Sequence, residues 1–173
     1  MLFSKRITEK KIILYIATSL DGFIARENGS VDWLEKYNDV GYDFGFDEFN
    51  KRFEIVIVRN TTQKQYANKY DGKTCYVFTK IPRDNDENLI YVSGDVLKVL
   101  EETNPKGNIW LVGGADLVNQ FIKYDLIDEY IITIMPEESG SGIPLFKDSN
   151  FTLELNNIET KKFGDVIQLI YTK

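Results

Sequence analysis

The sequence contains no histidine, one cysteine, two methionines and four prolines in 173 residues. Without histidine there is no Ser-His-Asp or Cys-His relay to activate a nucleophile, and no imidazole to hold zinc or haem. A lone cysteine, Cys75, excludes an intrachain disulfide and a cysteine-cluster metal site. Composition leaves open only a metal held by carboxylates, and none is expected. Long apolar runs are missing too. Stretches such as Ile12 to Ala17 and Ile55 to Val58 fall far short of the roughly 20 residues a membrane helix needs. The first residues, Met-Leu-Phe-Ser-Lys-Arg-Ile-Thr-Glu-Lys-Lys, lack the apolar core of a secretory signal, so a cytoplasmic protein without membrane contact is expected. Positive charge is in deficit. The 21 Lys and Arg stand against 27 Asp and Glu, a net charge of −6, which argues against binding a nucleic-acid backbone.

What is present describes a globular chain. Hydrophobic residues make up 43% and charged residues 28%. With no repeat, low-complexity tract or Pro/Ser-rich linker, residues 1–173 read as one domain. Cys75 lies in the apolar stretch Cys75-Tyr76-Val77-Phe78 and reads as a small buried hydrophobe. Short runs rich in Ile, Val, Tyr and Phe predict strands over 11–18, 55–58, 74–79, 89–92, 108–112 and 128–135. Helical patterns over 43–52, 61–69, 93–102 and 115–123 fall between them, with Ser93 or Asp95 able to cap the third. Alternation of this kind predicts an α/β fold with a mainly parallel sheet, covered by helices on both faces. Runs over 151–157 and 165–172, linked through Gly164, predict an antiparallel pair at a sheet edge.

Ligands of such sheets bind beyond the carboxyl ends of the strands. At Ile109-Trp110-Leu111-Val112-Gly113-Gly114-Ala115-Asp116-Leu117-Val118 an apolar strand meets two glycines and then a helix. This is either a phosphate site at a helix N-terminus or a tight turn that needs glycine for its backbone. At Val58-Arg59-Asn60-Thr61-Thr62, Arg59 is either a phosphate clamp or a solvated side chain, and Thr61 a ligand or a cap. Thr79-Lys80 ends a third strand. After the first strand come Ser19-Leu20-Asp21-Gly22 and later Asp32-Trp33-Leu34. Asp21 is either the carboxylate that reaches a pocket or plain turn chemistry. The glycine-containing stretch 136–146 reads as a lid or a connector.

Four motifs in this order carry a resemblance: Ala17-Thr18-Ser19-Leu20-Asp21-Gly22-Phe23-Ile24-Ala25, Asp32-Trp33-Leu34, Leu111-Val112-Gly113-Gly114-Ala115-Asp116-Leu117-Val118 and Gly142-Ile143-Pro144-Leu145-Phe146. Together they resemble the dihydrofolate-reductase-like superfamily, and within it the reductase domain of the bacterial riboflavin-biosynthesis deaminase-reductase, in its stand-alone form. The resemblance runs from about residue 11 to 173. It implies a three-layer fold on an eight-stranded, mostly parallel sheet, an NADPH-dependent reduction of a ribosylaminopyrimidine or related heterocycle, and a homodimer. Gly113, Gly114, Ala115, Asp116 and Leu117 would hold the cofactor pyrophosphate. Ala17 and Ile24 would flank the nicotinamide. Arg59 and Thr61 would sit by the adenosine phosphates, with Thr79 and Lys80 near the 2′-phosphate. Ser19, Asp21, Trp33 and Thr133 would edge the substrate pocket, with Asp21 the candidate proton donor. The family pattern at the second strand end is Gly-Arg-x-Thr-Tyr. Here Val58 and Thr62 replace the Gly and the Tyr, which places a branched side chain where backbone is expected to approach the cofactor. The folate branch needs a buried acid soon after Trp33; Asn38 and Asp39 give no clear choice, so dihydrofolate reduction ranks below riboflavin-type chemistry. The second class of reading is a nucleotide-binding homodimer without catalysis, and Val58 is the feature that favours it.

Overall fold

Strand-forming sequence and strand position coincide closely. The computed structural model describes residues 10–63, 72–147 and 152–173. In chain order its strands are β1 (Ile12–Thr18), β2 (Phe23–Ala25), β3 (Ile55–Arg59), β4 (Thr74–Phe78), β5 (Leu89–Val92), β6 (Ile109–Gly113), β7 (Glu129–Ile134), β8 (Ile143–Pro144), β9 (Asn156–Phe163) and β10 (Val166–Thr172). The helices are α1 (Phe46–Asn50), α2 (Asn60–Gln63), α3 (Val96–Thr103) and α4 (Ala115–Lys123), with a 3-10 turn over Asp32–Tyr37.

Eight strands form one sheet in the order β5-β4-β3-β6-β1-β7-β10-β9. The first six of these run parallel; β10 pairs antiparallel with both β7 and β9. Successive residues of a strand point to opposite faces, and the core follows that period. Ile12 and Leu14, Ile55 and Ile57, Ile109 and Leu111 face a cluster closed by Val96, Val99 and Leu100 of α3 and Leu117, Val118, Phe121 and Ile122 of α4. Ile13, Val56, Val58, Cys75, Val77, Trp110 and Val112 face the other side, under Phe49 of α1 and Phe53. Both sheet faces are therefore covered by helix, as the continuous apolar runs require. Cys75 is fully buried, and burial pushes its thiol up to about 12. No helix of the described residues is long and apolar enough to cross a membrane.

Four element boundaries differ from the sequence pattern. The edge strand occupies Asn156–Phe163 and not 151–157: Thr152–Leu155 is irregular, and Leu153 and Leu155 pack against the core without pairing. The alternation at 151–157 reflects that packing, whereas the true strand pairs its polar residues at the sheet edge. Helix α1 is shorter than 43–52. Asp43 accepts the Gly45 and Asp47 amides, and Gly45, at φ 76°, precedes its first turn. Helix α3 starts at Val96, because Asp95 and not Ser93 caps it, accepting the Leu97 amide at 2.9 Å. Of the helix expected over 61–69, Asn60–Gln63 is seen; the remainder lies outside the described residues.

Candidate functional site

The carboxyl ends of the parallel strands open into a cavity of about 610 Å³. Sheet order arranges its floor: Arg59 ends β3, Val112 and Gly114 follow on β6, Ile16 and Ala17 on β1, and Thr133 and Met135 on and after β7. One end of the cavity is thus set by β3, β6 and α4, the other by β1 and β7.

The β3–β6 end is built for an anion. Gly114 stands before α4 with no side-chain cap. The Leu117 and Val118 amides bond the Gly114 carbonyl at 3.0 Å, which leaves the Ala115 and Asp116 amides without an acceptor in the helix. Positive potential at a helix start adds to that. Arg59, Thr61, Thr62 and Lys147 line the same end. Lys147 Nζ lies 2.7 Å from Asp116 Oδ1. That bond, with the charges of Lys147, Arg59 and Lys80, holds the Asp116 carboxyl below the usual carboxylate range. Gly114 itself opens toward Thr62, whose Oγ1 would lie 3.6 Å from an added Cβ.

The β1–β7 end is aromatic and hydroxylated. Tyr15, Phe44, Phe46 and Tyr37 contribute to its wall, with Val31, Leu34 and Met135. The Tyr15 hydroxyl donates to the Phe44 carbonyl at 2.6 Å, and Gln168 Nε2 donates both to that carbonyl and to Thr133 Oγ1 at 2.9 Å. Thr133 therefore accepts from Gln168, and among the described residues no acceptor takes its own proton. Burial pushes the Tyr15 phenol up to about 12.

The residues expected at the site divide into two groups. The cavity gathers Ala17, Ile24, Arg59, Thr61, Gly114, Ala115, Asp116 and Thr133. Asp21, Ser19, Trp33, Thr79, Lys80, Gly113 and Leu117 do not line it, each for a visible reason. Asp21 accepts Ser19 Oγ at 2.6 Å and the Ser139 and Gly140 amides at 2.9 and 2.8 Å. The Ser139 amide first, then Ser19, holds its carboxyl down to about 2, so it tethers a loop and is a poor proton donor. Ser19 is buried in the same turn. Trp33 packs with Met135 and Val166 behind the wall. Thr79 exchanges hydrogen bonds with Ile81, and Lys80 is exposed, a minor contributor to the lowered Asp116. Leu117 is buried in the core. Gly113 is buried at φ 120°, joined to Gly114 by a cis peptide, and an added Cβ there would face Ile16 and Val118. Val58 is fully buried in the face under α1, so its branched side chain does not enter the cavity.

The stretch 136–146 is more than a connector. Its β8 pairs with β2, and Leu20 donates to the Glu137 carbonyl at 2.7 Å. This brings Ile143 and Lys147 to the cavity. Lys147, Gln168 and Tyr15 escaped the sequence reading. Lys147 follows directly on the Gly-Ile-Pro-Leu-Phe motif, the one local signal that marked its neighbourhood. Gln168 interrupts the apolar run Val166-Ile167-Gln168-Leu169-Ile170 and is a second such signal.

A family model described as the RibD C-terminal domain matches residues 47–169. The chain is 42% identical over 173 residues to YwjB of Bacillus subtilis (strain 168), an uncharacterised protein, covering 95% of this chain and 99% of that one. Among solved structures, a candidate riboflavin biosynthesis protein from Shewanella sp. PV-4 superposes with a TM-score of 0.78 at 28% identity, over 94% of this chain and 98% of that one. A diaminohydroxyphosphoribosylaminopyrimidine deaminase/5-amino-6-(5-phosphoribosylamino)uracil reductase from Thermotoga maritima shares the fold at 14% identity, with a TM-score of 0.70 over 98% of this chain and 59% of that longer one.

Proposed function

The chain belongs to the RibD C-terminal domain family, and from that membership we propose that it is an NADPH-dependent reductase of a pyrimidine- or pterin-related heterocycle. The observation that carries the reading is the cavity's β3–β6 end, where Arg59, Lys147 and two unbonded helix amides converge beside Gly114. That donor set fits the phosphates of a dinucleotide. When bound, the cofactor supplies a hydride from its nicotinamide C4. The protein orients two rings and excludes water. Ala17 and Ile24 flank the nicotinamide position, and Thr61 and Thr62 add hydroxyls to the phosphate end. Thr133, oriented by Gln168, offers a hydroxyl proton to the acceptor. In this reading Arg59 and Lys147, and not Thr79 and Lys80, serve the phosphates, and the protein works as a homodimer.

Val58 favours a binder without catalysis only where its side chain meets the cofactor, and its burial in the core removes that ground. The test is isothermal titration of the purified protein with NADPH and NADH. NADPH is expected to bind one per chain. Arg59→Ala and Lys147→Ala are each expected to weaken it about tenfold, the loss of one charge-assisted contact. No heat from either nucleotide would overturn the proposal.

A further inference from the structure

The charge lining this cavity is divided between its ends. Among the described residues, five charged side chains line it: Arg59, Lys147, Asp116, Glu35 and Asp43. The first three share the β3–β6 end, where Lys147 neutralises Asp116. Glu35 and Asp43 belong to the other. Asp43 precedes Phe44, whose carbonyl is fixed by Tyr15 of β1 and Gln168 of β10. Glu35 lies in the 3-10 turn, which is anchored after β7 by the Tyr37 hydroxyl donating to Glu137 at 3.1 Å. The neighbouring cation, Lys36, is paired with Glu137. The Asp43 carboxylate accepts two backbone amides, which keep it ionised.

Resting on the reductase reading, we infer that the acceptor is an unphosphorylated planar heterocycle, neutral or cationic, bound between the aromatic wall and Thr133 with its polar edge toward Glu35 and Asp43. Strands β3 and β7 are three strand spacings apart, roughly 14 Å at about 4.8 Å each. A phosphate carried at the β7 end would lie beyond a salt-screening length from Arg59 and close to two carboxylates. Like charges placed there discriminate against an anionic ligand, whereas an amino-substituted ring edge meets acceptors.

The experiment compares 5-amino-6-(5-phosphoribosylamino)uracil with its dephosphorylated form. Equilibrium dialysis measures the binding of each to the protein alone and to the protein saturated with NADP+, which has no hydride to give; NADPH oxidation is followed in a separate assay. The dephosphorylated probe is expected to bind at least tenfold tighter, with the gap narrowing as salt rises. Glu35→Lys, an exposed position, is expected to shrink the gap about tenfold. Equal binding, preference for the phosphorylated probe, binding of neither, or a ratio unmoved by Glu35→Lys would overturn the inference. Dialysis needs no turnover, so the two proposals fail separately. The expected ranking without NADPH oxidation sinks the reductase reading alone; NADPH oxidation that favours the phosphorylated probe sinks the substrate class alone.

Discussion

Two adjacent glycines do different work at the end of β6. Gly113 takes a backbone conformation at φ 120° that side chains rarely adopt. Gly114 has ordinary angles, φ −73° and ψ −166°, and lines the cavity. Gly114→Val is therefore expected to keep the fold while filling the helix mouth, lowering nucleotide affinity at least tenfold with Tm within a few degrees of the parent. Gly113→Val is expected to lower Tm instead, since its backbone is strained with any side chain. Calorimetry on the pair separates the two roles. The sequence marks the Gly-Gly dipeptide as a unit, and only the coordinates divide it. The same holds for Arg59 and Val58. Both sit at one strand end, and the pleat sends one toward the cavity and the other into the core. An alternating residue's face is legible from period 2 only once the neighbouring strands are placed.

At the scale of elements, Asp21 joins two turns. Its carboxylate ties the β1–β2 turn to the loop that delivers β8 and Lys147. The folded group titrates at about 2, below its ordinary 3.8. A depressed carboxylate contributes stability above its unfolded value, and that contribution is lost as pH falls through the folded one. The tether should thus hold at neutral pH and fail between about pH 4 and 2. Asp21→Ala is expected to speed amide exchange at Ser139 and Gly140 at neutral pH, reproducing what acid does to the parent. Unchanged exchange would leave the loop held by the β2–β8 pairing and the Leu20–Glu137 bond. Most elements were legible from apolar runs and caps. Helix α4 matches the pattern over 115–123. The edge strand was displaced because its own sequence, Asn156 to Phe163, is mostly polar and paired on one side only, so periodicity had little burial to report. The β2–β8 pair, of three and two residues, is too short to leave any period at all.

The whole molecule separates its tasks by sheet end. Beyond the carboxyl ends lies the cavity. At the amino ends, polar side chains fasten strands to one another: Asp128 accepts the Ile12 amide, Glu54 the Asn108 amide, and Arg52 grips the buried Glu129 through two bonds of 3.1 and 2.6 Å. Removing one partner of such a pair leaves a carboxylate buried without its cation. Arg52→Ala is expected to cost about 3 kcal/mol and to lower Tm by roughly 10 °C. Nucleotide affinity should not change, because Arg52 lies at the opposite end of the sheet from the cavity. A parallel loss of affinity in the titration would mean that the two ends are coupled. Fold class was readable from the sequence at this scale because strand–helix alternation is a global pattern. The division of charge within the cavity was not, since Glu35, Asp43 and Lys147 reach its two ends from segments between the strands.

Trp110 stands in the cavity wall, its indole nitrogen donating to the Tyr15 carbonyl at 3.1 Å and its ring set edge-on to Tyr15 and Phe49. Trp33, the second tryptophan, belongs to a separate cluster with Met135 and Val166. The chain thus carries a built-in optical reporter. A reduced nicotinamide absorbs where indole emits, so occupancy of the cavity would dim both tryptophans, Trp110 in the wall and Trp33 just behind it against Met135, and the protein would announce its own ligand without a label.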